Sequence, residues 1–277
     1  MTNQDFIKTM KKEYEKRSAD KKSNISVNLV YSFLKECEDL LILDFIKIHY
    51  NDADIAEIIE NIKEKFTKLL SKSGLTFNDE KCDLFLSKFP SMRESIFGSA
   101  RRILEGDPAS NSIEEIVLTY PGFSAIMAYR IANTLYQMGL NYIARIITEK
   151  AHKETGIDIN PGATIGENFF IDHGTGIVIG ETAVIGNNVK LYQGVTIGAK
   201  SLEKGSFLKG CRRHPTIGDE VTIYSNATIL GGDTHIGNGS TIGANVFLTT
   251  SIPSNTFVYL SDTGIKIVPK QTKVKHN

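Results

Sequence analysis

From residue 157 onward an aliphatic residue returns every six positions. Ile165-Gly, Ile171-Asp and Ile177-Val are spaced by six; a two-residue shift then resets the count to Ile179-Gly, Ile185-Gly, Leu191-Tyr and Ile197-Gly. The period resumes at Ile217-Gly, Ile223-Tyr and Ile229-Leu, and after a one-residue shift runs through Ile236-Gly, Ile242-Gly and Leu248-Thr. Four residues after most anchors stands a small or β-branched residue: Ala183, Val189, Val195, Val221, Ala227, Val246 and Ile252. A scatter of Ile-Gly pairs in an ordinary β-sandwich would not keep so many hexads in phase. A parallel β-helix requires it, because each short strand sends one aliphatic side chain inward and then turns a corner that only a small residue allows. Three hexads close a triangular coil, and coils stack at about 4.8 Å.

The first 156 residues follow the helical period instead. Ile55, Ile58, Ile59, Ile62, Phe66, Leu69 and Leu70 mark one face of a long helix. Ser91 with Glu94, and Ser112 with Glu115, have the spacing of capping boxes. Pro121 opens a further pattern of Phe123, Ile126, Met127, Ile131, Leu135 and Met138. The expected chain is α+β. A helical domain of five to eight helices over 1–156 serves oligomerisation and caps one end of the coil, a parallel β-helix follows over 157–260, and 261–277 form a tail.

Thirty-two basic residues balance 32 acidic ones. Nucleic acid is not an expected partner, since phosphate-backbone binding needs a concentrated basic face. Cys37, Cys82 and Cys211 are odd in number and far apart, which points to a reducing compartment rather than to disulfides or a zinc ribbon. The N-terminus has no apolar signal region, and LLILDFIKI from Leu40 is too short to span a membrane. A cytoplasmic, soluble chain is expected, with no membrane partner.

Two places break the hexads. Between Ile197 and Ile217 the stretch GAKSLEKGSFLKGCRRHPT is too long and polar for a coil, so residues 199–216 leave it as a loop that returns through Arg212-Arg213-His214-Pro215. The other break is Asp172-His173, followed by Gly174-Thr175-Gly176. Asp158 lies 15 residues earlier, close to one coil, so its carboxylate is expected beside His173. Such a pair fixes an imidazole tautomer and makes the other ring nitrogen more basic.

IDINPGATIG, IDHGTGIVIGETAVIG, QGVTIG and RRHPTIGDEVTIYSNATILGG, with the upstream EGDPAS and YPGFSAIMAYRIANTLY, closely resemble the serine O-acetyltransferase family over about residues 100–255. The resemblance implies a left-handed coil, assembly as a trimer or a pair of trimers, and acetyl transfer from acetyl-CoA to L-serine in cysteine biosynthesis. Position by position it places the base on His173, its dyad acid on Asp158, serine-binding carboxylates on Asp107 and Asp172, and the substrate-carboxylate pair on Arg213 and His214. It places acetyl-CoA, a co-substrate rather than a bound cofactor, near Gly198, Ala199, Ser225 and Ala244. The chemistry agrees: serine's ammonium wants carboxylates and its carboxylate a guanidinium fork. Thiolate leaves readily, so neither a metal nor an acyl-enzyme on Cys211 is expected. Relatives that bind O-acetylserine sulfhydrylase end in isoleucine, whereas this chain ends at Asn277, so that complex is not expected. Cysteine, which mimics serine, is an expected inhibitor. Two alternatives stay open, acetylation of another hydroxyl acceptor and a non-catalytic trimeric rod; a zinc anhydrase using His173, His214 and His235 is not expected, because those histidines lack paired short spacing.

Overall fold

The computed structural model describes residues 2–18, 24–73, 79–200, 210–261 and 264–269. Among these are nine helices: α1 (Asn3–Ser18), α2 (Val27–Leu41), α3 (Leu43–Ile46), α4 (Asp52–Lys72), α5 (Asp79–Leu86), α6 (Phe89–Gly106), α7 (Ile113–Thr119), α8 (Pro121–Gln137) and α9 (Asn141–Thr155). That exceeds the expected range by one. The single turn α3 folds back where Arg93 donates to the Leu41 carbonyl and pairs with Asp44 at 2.7 Å. The capping box expected at Ser91 is absent. Pro90 occupies the first turn of α6, so Ser91 lies inside the helix and its hydroxyl bonds back to the Lys88 carbonyl at 3.0 Å. Ser112 does cap α7 by accepting the Glu115 amide at 3.0 Å, but the Glu115 carboxylate turns to the Asn111 amide at 2.8 Å. The reciprocal box lies at Asn51 and Asp54, starting α4. Phe33, Phe66 and Phe85 pack ring against ring, with centroids 5.2–5.8 Å apart, and join α2, α4 and α5. No described helix is long and apolar enough to cross a membrane.

Gly156, at φ 72°, ends α9 in the left-handed conformation that suits glycine, and the coil begins two residues later. Its first face holds β1 (Asp158–Ile159), β4 (Val178–Ile179), β7 (Thr196–Gly198), β10 (Thr228–Leu230) and β13 (Phe247–Leu248). The second holds β2 (Thr164–Ile165), β5 (Val184–Ile185), β8 (Thr216–Ile217) and β11 (His235–Ile236). The third holds β3 (Phe170–Ile171), β6 (Lys190–Leu191), β9 (Thr222–Ile223), β12 (Thr241–Ile242), β14 (Thr256–Ser261) and β15 (Gly264–Pro269). All pairings are parallel except that of β14 with β15, so the start of the expected tail is a strand that closes a hairpin on the last coil.

The hexad anchors fill the coil interior, none more than 5% exposed. One anchor is reassigned. Val178-Ile179 form β4, which makes Ile177 the corner residue equivalent to Ala183, and the two extra residues fall in the turn that carries His173.

Helical and coil cores interlock at the lower end. Phe170 of β3 enters the helical core, while Ala125, Ile126 and Tyr129 of α8 enter the coil core. β2 is an edge strand, with amides bonded upward and carbonyls facing α8. The Tyr129 hydroxyl donates to Ala163 O at 2.6 Å, Asn133 Nδ2 to Pro161 O and Ala163 O at 2.8 and 3.1 Å, and Arg130 to Ile165 O at 2.6 Å and to Gly166 O. Side chains of one helix thus satisfy an edge that would otherwise be open to further pairing.

Candidate active site

The corner between β3 and β4 stands out from the coil. His173 adopts φ 58° and its side chain is 73% exposed; Gly174 and Gly176 follow at φ 90° and 81°. Positive φ lets the backbone double back within two extra residues and presents the imidazole outward. The corner rests on the start of the coil below: the Gly176 amide donates to Gly156 O at 2.8 Å. A Cβ on Gly174 would fall 2.5 Å from Ile157 Cδ1.

Asp172 and Asp107 meet at this corner. His173 Nε2 lies 3.7 Å from Asp172 Oδ1, and Asp172 is 13% exposed. Asp107 caps α6 in an extended conformation (φ −118°, ψ 106°), as a residue before proline should. Its Oδ1 accepts the Ala109 amide at 2.9 Å and its Oδ2 the Tyr120 hydroxyl at 2.8 Å. The Ala109 amide, helped by Tyr120 and by the charges of Lys190 and His173, holds the Asp107 carboxyl below the usual carboxylate range. Burial and the bond to Asp107 push Tyr120 up to about 12.

The expected Asp158–His173 bond is not formed. The left-handed turn carries the ring to Asp172, while Asp158 faces α9, 4.0 Å from Arg145 Nη1. Asp158, Glu149 and His152 place one oxygen or nitrogen each within 4.8 Å of one another, a grouping across helix and strand that residue spacing does not reveal.

Arg213 and His214 occupy the opposite end of β4, at its corner with β5. Arg213 Nη2 donates to Glu181, whose other carboxylate oxygen accepts the Tyr136 hydroxyl at 3.1 Å. Arg213 and Tyr136 hold Glu181 below the usual carboxylate range. His214 is buried, and burial followed by the Arg213 charge lowers it to about 4, so the ring is neutral. Roughly 10 Å of extended chain separates this pair from His173 within one copy. The described ends of the excursion lead out from β7 and back into β8; residues 201–209 lie outside the described residues. Cys211 is exposed beside the pair.

The acetyl-CoA positions fall into two columns. Ser225 and Ala244 stack at the corner before the first face, where the Asn245 amide donates to Ser225 O at 2.9 Å; Gly198 ends β7 at the far edge of that face, and Ala199 follows it. The four residues therefore do not occupy one position: two precede the face and two stand at its far edge. Tyr120, Tyr136, Glu181, Thr182 and Lys190 were not anticipated. Glu181-Thr182 stands within the motif that carries His173, which was the available signal; Lys190 had none.

Helices closing one end of a three-sided hexapeptide coil, an Asp-His corner, and an Arg-His pair delivered by an excursion define the hexapeptide-repeat β-helix class. A serine acetyltransferase of Synechococcus elongatus is 52% identical over 182 residues, 65% of this chain and 57% of that one. One of Helicobacter pylori is 42% identical over 156 residues, 56% of this chain and 87% of the relative. The chain belongs to the serine acetyltransferase family. It matches less than two thirds of the Synechococcus protein's length. No family model matches it. Entamoeba histolytica serine acetyltransferase 1 in complex with L-cysteine aligns at TM-score 0.76 and 35% identity, covering 86% of this chain and 87% of that one. The Neisseria gonorrhoeae enzyme in complex with serine aligns at 0.59 and 28% identity, covering 84% and 95%. The shared fold is the left-handed parallel β-helix.

Proposed function

We infer that this chain is a serine O-acetyltransferase of the cytoplasm, moving the acetyl group of acetyl-CoA to the L-serine hydroxyl and supplying O-acetyl-L-serine to cysteine biosynthesis. The observation that carries the reading is an exposed imidazole, His173, turned out beside two carboxylates, Asp107 and Asp172. His173 takes the hydroxyl proton as the serine oxygen attacks the thioester carbonyl; the C–S bond breaks and the thiolate recovers that proton from the imidazolium. The carboxylates receive the serine ammonium, Arg213 its carboxylate, and the neutral His214 ring donates to the oxyanion. Asp158 braces the imidazole once the ring turns away from Asp172. Acetyl-CoA lies along the first face, between the Ser225/Ala244 and Gly198/Ala199 columns. Serine and cysteine, the molecules in the two related complexes, are the substrate and its competitor here.

Arg213 reaches this site only from a second copy. If three copies set their first faces around a three-fold axis, each β4–β5 corner meets the β3–β4 corner of a neighbour, as a heterologous ring requires. The test is thiol release from acetyl-CoA with L-serine, with other hydroxyl acceptors and with none. H173A is expected to lose at least ~100-fold. Mixed refolding of H173A with R213M chains restores activity if the sites are shared. Undiminished H173A turnover overturns the reading; equal turnover on sugar alcohols moves it to another acceptor.

A further inference from the structure

The excursion that delivers Arg213 is tied to the helical domain. Glu181 stands between the two, one carboxylate oxygen accepting from Arg213 Nη2 and the other from the Tyr136 hydroxyl at 3.1 Å. Tyr136 lies in the last turn of α8, and its ring packs against the helical core. The side chains of Arg213 and Glu181 are 20% and 34% exposed, so the contacts lead inward from a largely covered guanidinium to a helix. Gly162, in the turn between β1 and β2, makes room for the junction. A Cβ there would fall 2.9 Å from Glu181 Cγ and 3.0 Å from Tyr136 Cζ. Burial and the Glu181 charge raise the Tyr136 phenol above its ordinary value, so the hydroxyl stays a donor across the physiological range.

We propose that Tyr136 is a positioning residue for the acceptor's carboxylate: through Glu181 it sets the plane in which the Arg213 fork is presented. The proposal rests on the serine-acceptor reading, with Arg213 as the group that meets serine's carboxylate. A guanidinium grips a carboxylate through two parallel N–H donors when their planes align. A Glu181 tethered at one oxygen alone can swing and take the fork with it; the Tyr136 hydroxyl ties the second oxygen. The same bond draws on the Glu181 charge, so Arg213 is held less tightly against an incoming carboxylate. Losing the hydroxyl therefore acts twice in one direction, leaving the fork worse aimed and more strongly held.

The same helix supplies a control. Tyr129 donates its hydroxyl to a backbone carbonyl of the coil, Ala163 O, at 2.6 Å. A Tyr136 that merely latches α8 to the coil would behave as Tyr129 does when its hydroxyl is removed: lower stability, unaltered serine affinity.

The experiment measures kcat and the KM for serine at saturating acetyl-CoA, with thermal melts, for the full chain and for Y136F, Y129F, R213M and Y136F/R213M. Y136F is expected to raise KM roughly three- to tenfold and to keep kcat within about twofold, since the carboxylate contact is made alike in the bound and transition states. Y129F should lower the melting temperature and leave KM unchanged. R213M should raise KM at least roughly tenfold, and Y136F should add less than about twofold to it, because no fork is left to aim. Mixed refolding locates the effect. With H173A and R213M chains together, Y136F should raise KM when placed on the H173A chain, which supplies Arg213, and not on the R213M chain, which supplies His173. An unchanged KM in Y136F or R213M, equal KM shifts in Y136F and Y129F, or a Y136F effect that persists in full beside R213M overturns the proposal while leaving serine acetylation intact. Absence of serine-dependent thiol release from the unsubstituted protein overturns both.

Discussion

The Thr182 amide donates to Nδ1 of His214 at 3.1 Å, and the Thr182 hydroxyl lies 2.8 Å from the same nitrogen. That hydroxyl oxygen accepts the amides of Arg213 and His214 at 2.9 and 3.2 Å, which leaves its own proton to point at the ring. Nδ1 is therefore an acceptor twice over, and the neutral ring carries its hydrogen on Nε2.

This arrangement predicts a pH signature. His214 is lowered to about 4 from an ordinary value of 6.5. Between those values the unfolded chain binds the proton and the folded one does not. The contribution is therefore whole above 6.5 and is lost as pH falls toward about 4, by roughly 3 kcal/mol at most. Glu38 in the helical domain acts oppositely. Burial raises it to about 7 from 4.5, so its contribution is present below 4.5 and lost as pH rises through 7. Thermal melts from pH 4.5 to 7 are expected to be nearly flat for the unsubstituted protein. H214Q should gain stability on acidification relative to it, and E38Q should lose stability. Parallel curves for all three would dismiss both assignments.

The α8 cap over β2 predicts coupling between side chains. Ala163 O accepts from Tyr129 and from Asn133, so either donor alone keeps that carbonyl satisfied. Y129F is expected to cost about 1 kcal/mol, whereas Y129F combined with N133L should cost clearly more than the two single changes together. Arg130 has no such substitute at Ile165 and Gly166, and R130M is expected to cost about 2–3 kcal/mol by leaving edge carbonyls unsatisfied. Urea unfolding read by far-UV circular dichroism separates these cases; strict additivity of the Tyr129 and Asn133 changes would count against the shared carbonyl.

The coil was legible because its constraint is local: a six-residue period writes the strand, the corner and the inward side chain into consecutive positions, and nearly every anchor found its place. His173 was legible for the same reason, as a polar interruption of a rule its neighbours obey. Lys190 was not, because an outward polar residue on a coil strand looks ordinary and its partner Gly106 lies 84 residues away. The Asp158 side chain went astray through geometry finer than spacing. Fifteen residues set it close to His173 along the chain, but a positive φ decides which way the ring leaves the backbone. Nor does a period say that one strand will hold Arg213 and His173 apart at its two ends.

The close approach of Gly180 to His214 gives the sharpest separation of function from stability. A Cβ at Gly180 would fall 2.1 Å from both Nε2 and Cδ2 of the ring, which Thr182 holds from the other side. G180A must therefore displace the imidazole and break its bonds to Thr182, at about 1–3 kcal/mol. Gly239 is the control: at φ 68°, with Asn255 Oδ1 2.6 Å from an added Cβ, G239A strains the coil without touching His214 or the His173 corner. If Nε2–H donates to the oxyanion, G180A should lower kcat by roughly 100-fold while leaving the KM for serine within a few fold. G239A should lower the melting temperature and spare kcat below that temperature. Equal kcat losses in the two variants, matched to their stability losses, would show that His214 only packs the corner.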